Sequence, residues 1–214
     1  MNAPTALHLH IRIDGTLGVW RSADEALQPL EADGAWRFVL EHTADLPTAD
    51  RAALLRGLLQ LQLREQGVET GRFIVILQDG DVEARAAGPL GPPEEVEPKW
   101  WGSVDVLAET EAAGIYRLNL DPGGRIPTHI HERMDESEYV LTDGLTGWWT
   151  GAGPRVLPRG HSVRWPVGLP HGYQNDTTAP QAVLCIDRPP FDPSDEILLE
   201  PDAPAPAGFQ GQAP

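Results

Sequence analysis

Leu7, Leu9, Ile11 and Ile13 alternate with His8, His10, Arg12 and Asp14, the period-two pattern of a strand with one buried face. A second strand is expected over 36–42, and a third over 72–78, Arg-Phe-Ile-Val-Ile-Leu-Gln. Between them, leucines recur at helical spacing from Thr48 to Gly67, with Thr48 a candidate N-cap and Asp50 favourable to the helix dipole. The stretch Gly88-Pro-Leu-Gly-Pro-Pro-Glu-Glu-Val-Glu-Pro98 reads as a linker that sustains neither helix nor ladder. Beyond it the pattern changes to short strands at 115–120, 137–142, 147–150, 162–165 and 182–187, separated by glycine and proline turns. That rhythm predicts an antiparallel sandwich or barrel. The expected organisation is a small α+β domain (1–87), a linker (88–98), a β-barrel (99–195) and a tail (196–214). From Pro201 onward the tail has almost nothing to bury and is expected to be disordered.

Composition narrows the function. At 41% hydrophobic residues the 214-residue chain can build a sizeable core. Its 32 acidic against 16 basic residues, a formal charge of −16, repel phosphate backbones and anionic membranes, so nucleic acid is not an expected partner. The single cysteine, Cys185, allows no intrachain disulfide and sits in the apolar run Ala182-Val-Leu-Cys-Ile, the setting of a buried inert thiol. No secretory signal is read at the N-terminus, and the longest leucine-rich stretch, 52–63, is interrupted by Arg56, Gln60 and Gln62. The expectation is therefore a cytoplasmic protein with no membrane segment.

Two clusters carry candidate chemistry. In Gly123-Gly-Arg-Ile-Pro-Thr-His129-Ile-His131-Glu-Arg-Met-Asp-Glu136-Ser-Glu138, an extended backbone puts His129 and His131 on one face with Ile130 opposite. Glu136 lies five residues beyond His131, far enough for the chain to return as a neighbouring strand with its carboxylate at the same point. Glu138 shares strand parity with Glu136, as an alternative ligand or as a base beside a metal. In Gly160-His-Ser-Val-Arg-Trp-Pro166-Val-Gly168-Leu-Pro-His171-Gly-Tyr173-Gln-Asn175, Pro166 and Gly168 make a tight turn feeding a strand. That strand starts at His171, with Tyr173 and Asn175 on the same face. Tyr173 and Asn175 either contact substrate or pack.

These clusters resemble the two motifs of the cupin superfamily. Gly123, His129, His131 and Glu136 fit the first, whose closing glycine position falls on Asp143 with Gly144 next; Gly160, Pro166, Gly168, His171 and Asn175 fit the second without a gap. Over roughly residues 100–191 the resemblance implies a double-stranded β-helix, or jelly roll, so that the whole chain is expected to be mainly β with a small N-terminal α+β domain. It further implies one divalent transition metal held by His129, His131, Glu136 and His171. Three imidazoles and a carboxylate suit Fe(II), the leading expectation, or Mn, Ni, Co or Zn. The reading that follows is a metal-dependent enzyme, a non-haem iron oxygenase acting on a small organic molecule, with Glu138 and Tyr173 as candidate catalytic groups and a homodimer as the expected assembly. An isomerase or lyase, or a non-catalytic small-molecule sensor, are the alternatives.

His8-x-His10 repeats the histidine spacing without an accompanying glutamate or Pro-x-Gly-x-x-His and reads as a solvated strand face. His42 and His161 read as surface residues. Trp100, Trp101, Trp148, Trp149 and Trp165 either wall a substrate site or fill the barrel core. The N-terminal region bears a faint resemblance to part of dihydroneopterin aldolase, carried by its leucine-rich helix and 73–85. The lysine of that family aligns with Gln78, and the chain's one lysine is Lys99. The region is read as a relative kept for packing, dimerisation or pterin-like binding, or as an unrelated α+β unit.

Overall fold

The computed structural model describes residues 6–12, 17–21, 28–30, 34–65, 72–79, 82–89, 93, 95–149 and 152–199. The chain divides into two units, residues 1–94 with 107–112, and residues 95–106 with 113–214.

In the first unit, β1 (Ala6–Arg12), β2 (Leu17–Arg21), β3 (Gln28–Leu30), β4 (Arg72–Asp79) and β5 (Val82–Pro89) form a sheet in the order β3-β2-β1-β4-β5. Its central pair, β1 and β4, is parallel, with Leu9 opposite Val75. Helix α2 (Thr48–Glu65) packs against β4 and β5 and buries Leu54, Leu55, Leu58, Leu59 and Leu61. Its first bond runs from Arg51 N to the Pro47 carbonyl at 3.1 Å, so Thr48 lies in the first turn rather than capping it.

The segment expected as a second strand is instead a helix, α1 (Gly34–His42). Its buried Ala35, Phe38 and Val39, with His42 one turn on, recur at i, i+3, i+4 and i+7, a helical stripe. The aromatic and β-branched residues favour a strand locally, and burial of that stripe overrides them. His42 therefore ends a helix and is half-buried, its Nδ1 2.9 Å from the Phe38 carbonyl. The side chains of His8, His10 and Gln78 lie outside the described residues.

The second unit is a jelly roll of two antiparallel sheets. One runs β13 (Ser162–Trp165), β10 (Asp135–Val140), β15 (Gln181–Arg188), β8 (Gly114–Leu120), β7 (Gly102–Glu109), β6 (Glu95–Lys99). The other runs β12 (Ala152–Leu157), β11 (Leu145–Trp149), β14 (His171–Gln174), β9 (Arg125–His131), β16 (Glu196–Leu198). Leu120, Val140, Trp165 and Val183 of the first meet Ile126, Leu145, Leu157 and Tyr173 of the second in one core. Among the described residues no helix is long and apolar enough to cross a membrane.

Two boundaries differ from the expected ones. The proposed linker contains strand: β5 extends to Pro89, and β6 pairs with β7, Pro98 opposite Ser103. Proline is tolerated there because β6 is the edge of its sheet and one N–H side needs no partner. Lys99 lies on β6, opposite Gly102. The expected tail begins instead with structure, since β16 pairs with β9, Glu196 opposite His131 and Leu198 opposite His129. Residues 200–214 lie outside the described residues.

Candidate metal centre

The ligand-bearing strand β9 carries a bulge. His171 pairs with His129 but Tyr173 pairs with Ile126, two residues on β14 against three on β9. Strict alternation would send Ile126 and His129 to opposite faces, and the extra residue at Pro127-Thr128 brings both inward. Ile126 is 5% exposed and His129 and His131 are 5% and 4% exposed. The bulge also turns the Pro127 carbonyl to His129 Nδ1, at 2.9 Å. A carbonyl only accepts, so Nδ1 carries the proton and Nε2 is left as the ligand atom.

The second cluster reaches the same result with a turn. Leu169 N bonds the Pro166 carbonyl at 3.0 Å across Gly168, whose φ is +77°, and Gly168 N bonds the His131 carbonyl at 2.8 Å, tying the two clusters together. The Leu169 carbonyl then takes His171 Nδ1 at 3.0 Å, and the Trp165 ring stacks on His171 at 4.8 Å with a 6° interplanar angle. A Cβ at Gly168 meets nothing within 4 Å, so Gly168→Ala tests backbone conformation alone. A loss of about 1 kcal/mol is expected in urea unfolding.

Glu136 faces this cluster from the other sheet. Its Oε2 lies 2.8 Å from His171 Nε2 and 3.6 Å from His131 Nε2, and ligand atoms of His129, His131, Glu136 and His171 all fall within 4.8 Å of one another. Atoms sharing one ion at about 2.1 Å lie about 3–4 Å apart, so the four groups need only a modest contraction to hold one. Burial, with His171 nearby, pushes His129 down to about 4, leaving it neutral. Burial opposes ionisation of Glu136, but the charge and hydrogen bond of His171, with His129 and His131, outweigh it and hold the carboxyl down at about 2. Neutral imidazoles and an ionised carboxylate are the forms in which these groups bind a divalent transition ion, and the donor set fits one.

Glu138 lies beside the cluster rather than in it. Trp165 Nε1 and the Tyr173 hydroxyl both donate to its Oε2, while its Oε1 is buried with no hydrogen-bond partner. Burial and the charge of Glu136 push its carboxyl up to about 8. With Oε2 filled by two donors, the retained proton belongs on Oε1. Asn175 is fully buried, donates to the Leu120 and Ala179 carbonyls and accepts from Thr177 N, so it fastens a loop and is not available to a substrate. Of the tryptophans, Trp165 adjoins the cluster, Trp101 packs in the core, and Trp148 is half-buried, bonding Thr128 at 2.7 Å beneath the Arg125 guanidinium. The Trp149 side chain lies outside the described residues, and His161 is exposed.

Three contacts were not foreseen. Cys185 is buried, as its apolar run implied, but its sulfur touches Glu136 Oε1 at 3.1 Å and Asp187 Oδ1 at 2.7 Å. Burial and the Asp187 charge raise the thiol pKa well above its usual value, so it stays protonated. Asp195 Oδ2 lies 3.8 Å from His131 Nδ1. Strand parity could have put Cys185 and Asp187 on one face, but not the register that sets Asp187 opposite Glu136.

Residues 116–187 match the family model described as Cupin domain. A germin-like protein of Arabidopsis thaliana, subfamily 2 member 3, is 34% identical over 79 residues, 35% of this chain and 36% of that protein. A mannose-1-phosphate guanylyltransferase of Klebsiella pneumoniae is 28% identical over 99 residues, 46% of this chain and 21% of that protein. The chain thus spans a fifth to two fifths of the length of these curated relatives. Among solved structures, an RmlC-like cupin from Shewanella frigidimarina covers 44% of this chain and 83% of its own at 21% identity and a TM-score of 0.41.

Proposed function

Since residues 116–187 are a cupin domain, we propose that this protein is a metal-dependent enzyme whose centre is His129, His131, Glu136 and His171, and that it is an iron(II) oxygenase of a small organic molecule. The observation that carries the reading is the convergence of three imidazoles and one carboxylate, all buried, within 4.8 Å. Bound there, iron(II) supplies Lewis acidity, redox electrons and coordination positions left open by four protein ligands. The chain's own residues do the rest. His129 and His171 are held to their Nδ1–H forms by backbone carbonyls. The core around Trp165 and Tyr173 keeps water from the inner side of the site. Glu138, protonated on Oε1, is a proton donor to a bound substrate, while Tyr173 and Trp165 hold its other oxygen and orient it.

The same Glu138 favours a second reading, a lyase or isomerase in which the ion only polarises a carbonyl and Glu138 moves the proton. Oxygen uptake separates the two. Anaerobically iron-loaded protein is expected to consume dioxygen with at least one member of a panel of diketones, phenols and thiols. Turnover retained in full under argon overturns the oxygenase reading in favour of the second.

A further inference from the structure

Two of the three imidazoles at the centre are fixed by carbonyls two residues upstream, Pro127 for His129 and Leu169 for His171. His131 breaks the pattern. Its Nδ1 is buried and has no hydrogen-bond partner, and it faces Asp195 Oδ2 across 3.8 Å.

Asp195 is itself only 2% exposed and is held from two sides, Oδ1 accepting from Arg133 Nε and Oδ2 from Met134 N, each at 3.0 Å. A carboxylate oxygen has lone pairs for a second donor, so Oδ2 can serve both Met134 N and an imidazole. The segment that delivers Asp195 is tied down on either side. Before it, Arg133 Nη2 bonds Asp192 Oδ2 at 3.0 Å and Ser194 Oγ at 3.2 Å. After it, β16 pairs with β9 alongside His131 and His129, and Leu199 N bonds the Thr128 carbonyl at 2.8 Å. The strap 191–199 thus holds one carboxylate against the one ring that the backbone leaves unsecured.

We propose that Asp195 is the positioning residue of His131, accepting a hydrogen bond from its Nδ1–H in the metal-loaded protein, and that the strap carrying it is part of the metal centre. This rests on the metal reading of the four ligands. An outer carboxylate of this kind orients the ring, fixes its tautomer and raises its basicity, and its loss weakens metal binding by about 10- to 100-fold.

The test uses zinc alone as the probe, titrated into full-length apoprotein against a chromophoric chelator, with 1H–15N imidazole spectra of the zinc-loaded protein. Asp195→Asn is expected to bind zinc about 10- to 100-fold more weakly than the wild type. Arg133→Ala, which removes the strap's ion pairs but leaves Asp195, is expected to lose less than about threefold. In zinc-loaded wild type the His131 Nδ1–H signal is expected to be protected from exchange, and in Asp195→Asn it alone of the three histidine signals should be lost. Equal affinity of Asp195→Asn and wild type, or equal losses in both variants with His131 unchanged, overturns the inference while leaving the metal centre intact. A His131 in wild type that carries no Nδ1–H overturns it without recourse to a variant. Wild type that binds no zinc overturns the metal reading and this inference together.

Discussion

Gently purified protein is expected to carry close to one equivalent of a divalent transition metal, and the His129→Ala, His171→Ala double variant none. The two substitutions remove one imidazole from each motif, half of a donor set whose atoms lie within 4.8 Å. Structural binding of such an ion is worth about 10–16 kcal/mol, so losing half the ligands costs about 5 kcal/mol or more, a factor on the order of 10³–10⁴ in affinity. The variant should nevertheless fold. His129 is already neutral in the folded protein, so replacing it removes no charge, whereas replacing His171 takes the 2.8 Å partner from Glu136; far-ultraviolet circular dichroism of the metal-free proteins checks that the fold is kept. Thermal unfolding gives a second measure. An ion at a thousand times its Kd stabilises by about 4 kcal/mol, or about 8–16 °C for a chain of this size. A chelator should remove that increment from the wild type and do nothing to the variant. Metal retained equally by both proteins would place the ion elsewhere.

The contrast between what was legible and what was not follows the range of the interactions. The metal ligands could be read because their geometry is local. His-x-His on an extended chain shares a face whatever the rest of the fold does, and Pro166-Val-Gly168 makes a turn by its own stereochemistry, as the φ of +77° at Gly168 bears out. Trp36 to His42 was misread because strand-favouring side chains sit on a helical stripe whose partners, α2 among them, lie elsewhere in sequence. The bulge at Pro127-Thr128 has no sequence signature beyond a proline, yet it decides that Ile126 faces the same way as His129. Cys185, Asp187 and Asp195 were missed for a stricter reason. Their meaning depends on register, β15 against β10 and β16 against β9, and register is a property of the closed barrel. The short segment 196–198 also looks too slight to be ordered until β9 supplies its ladder.

The metal-free protein is expected to lose stability between about pH 6.5 and pH 8 because of Glu138, and Glu138→Gln is expected to blunt that loss. Burial, with the charge of Glu136, raises this carboxyl from 4.5 to about 8 in the folded state, so its contribution is fully present below the unfolded value and is lost as pH rises through the folded one. Below pH 6.5 a second group works the other way. His129, lowered by burial to about 4, contributes stability that is present above 6.5 and is lost as pH falls, which masks Glu138 in the acid range. Above 6.5 that mask is gone. His171, whose ring Glu136 raises against the opposing effect of burial, adds a loss of the same sign as Glu138, so the decisive quantity is the difference between wild type and Glu138→Gln. At about 1.4 kcal/mol per pH unit, that difference amounts to about 2 kcal/mol across the window. Glutamine keeps an oxygen for the Trp165 and Tyr173 donors and places an uncharged amide where Oε1 carries the proton, so packing should be preserved. Urea titrations of the apoproteins at pH 6.5 and 8 read the effect directly. An equal decline in both proteins would mean that the proton is not held on Glu138, and would take from the proposed acid the proton it has to give.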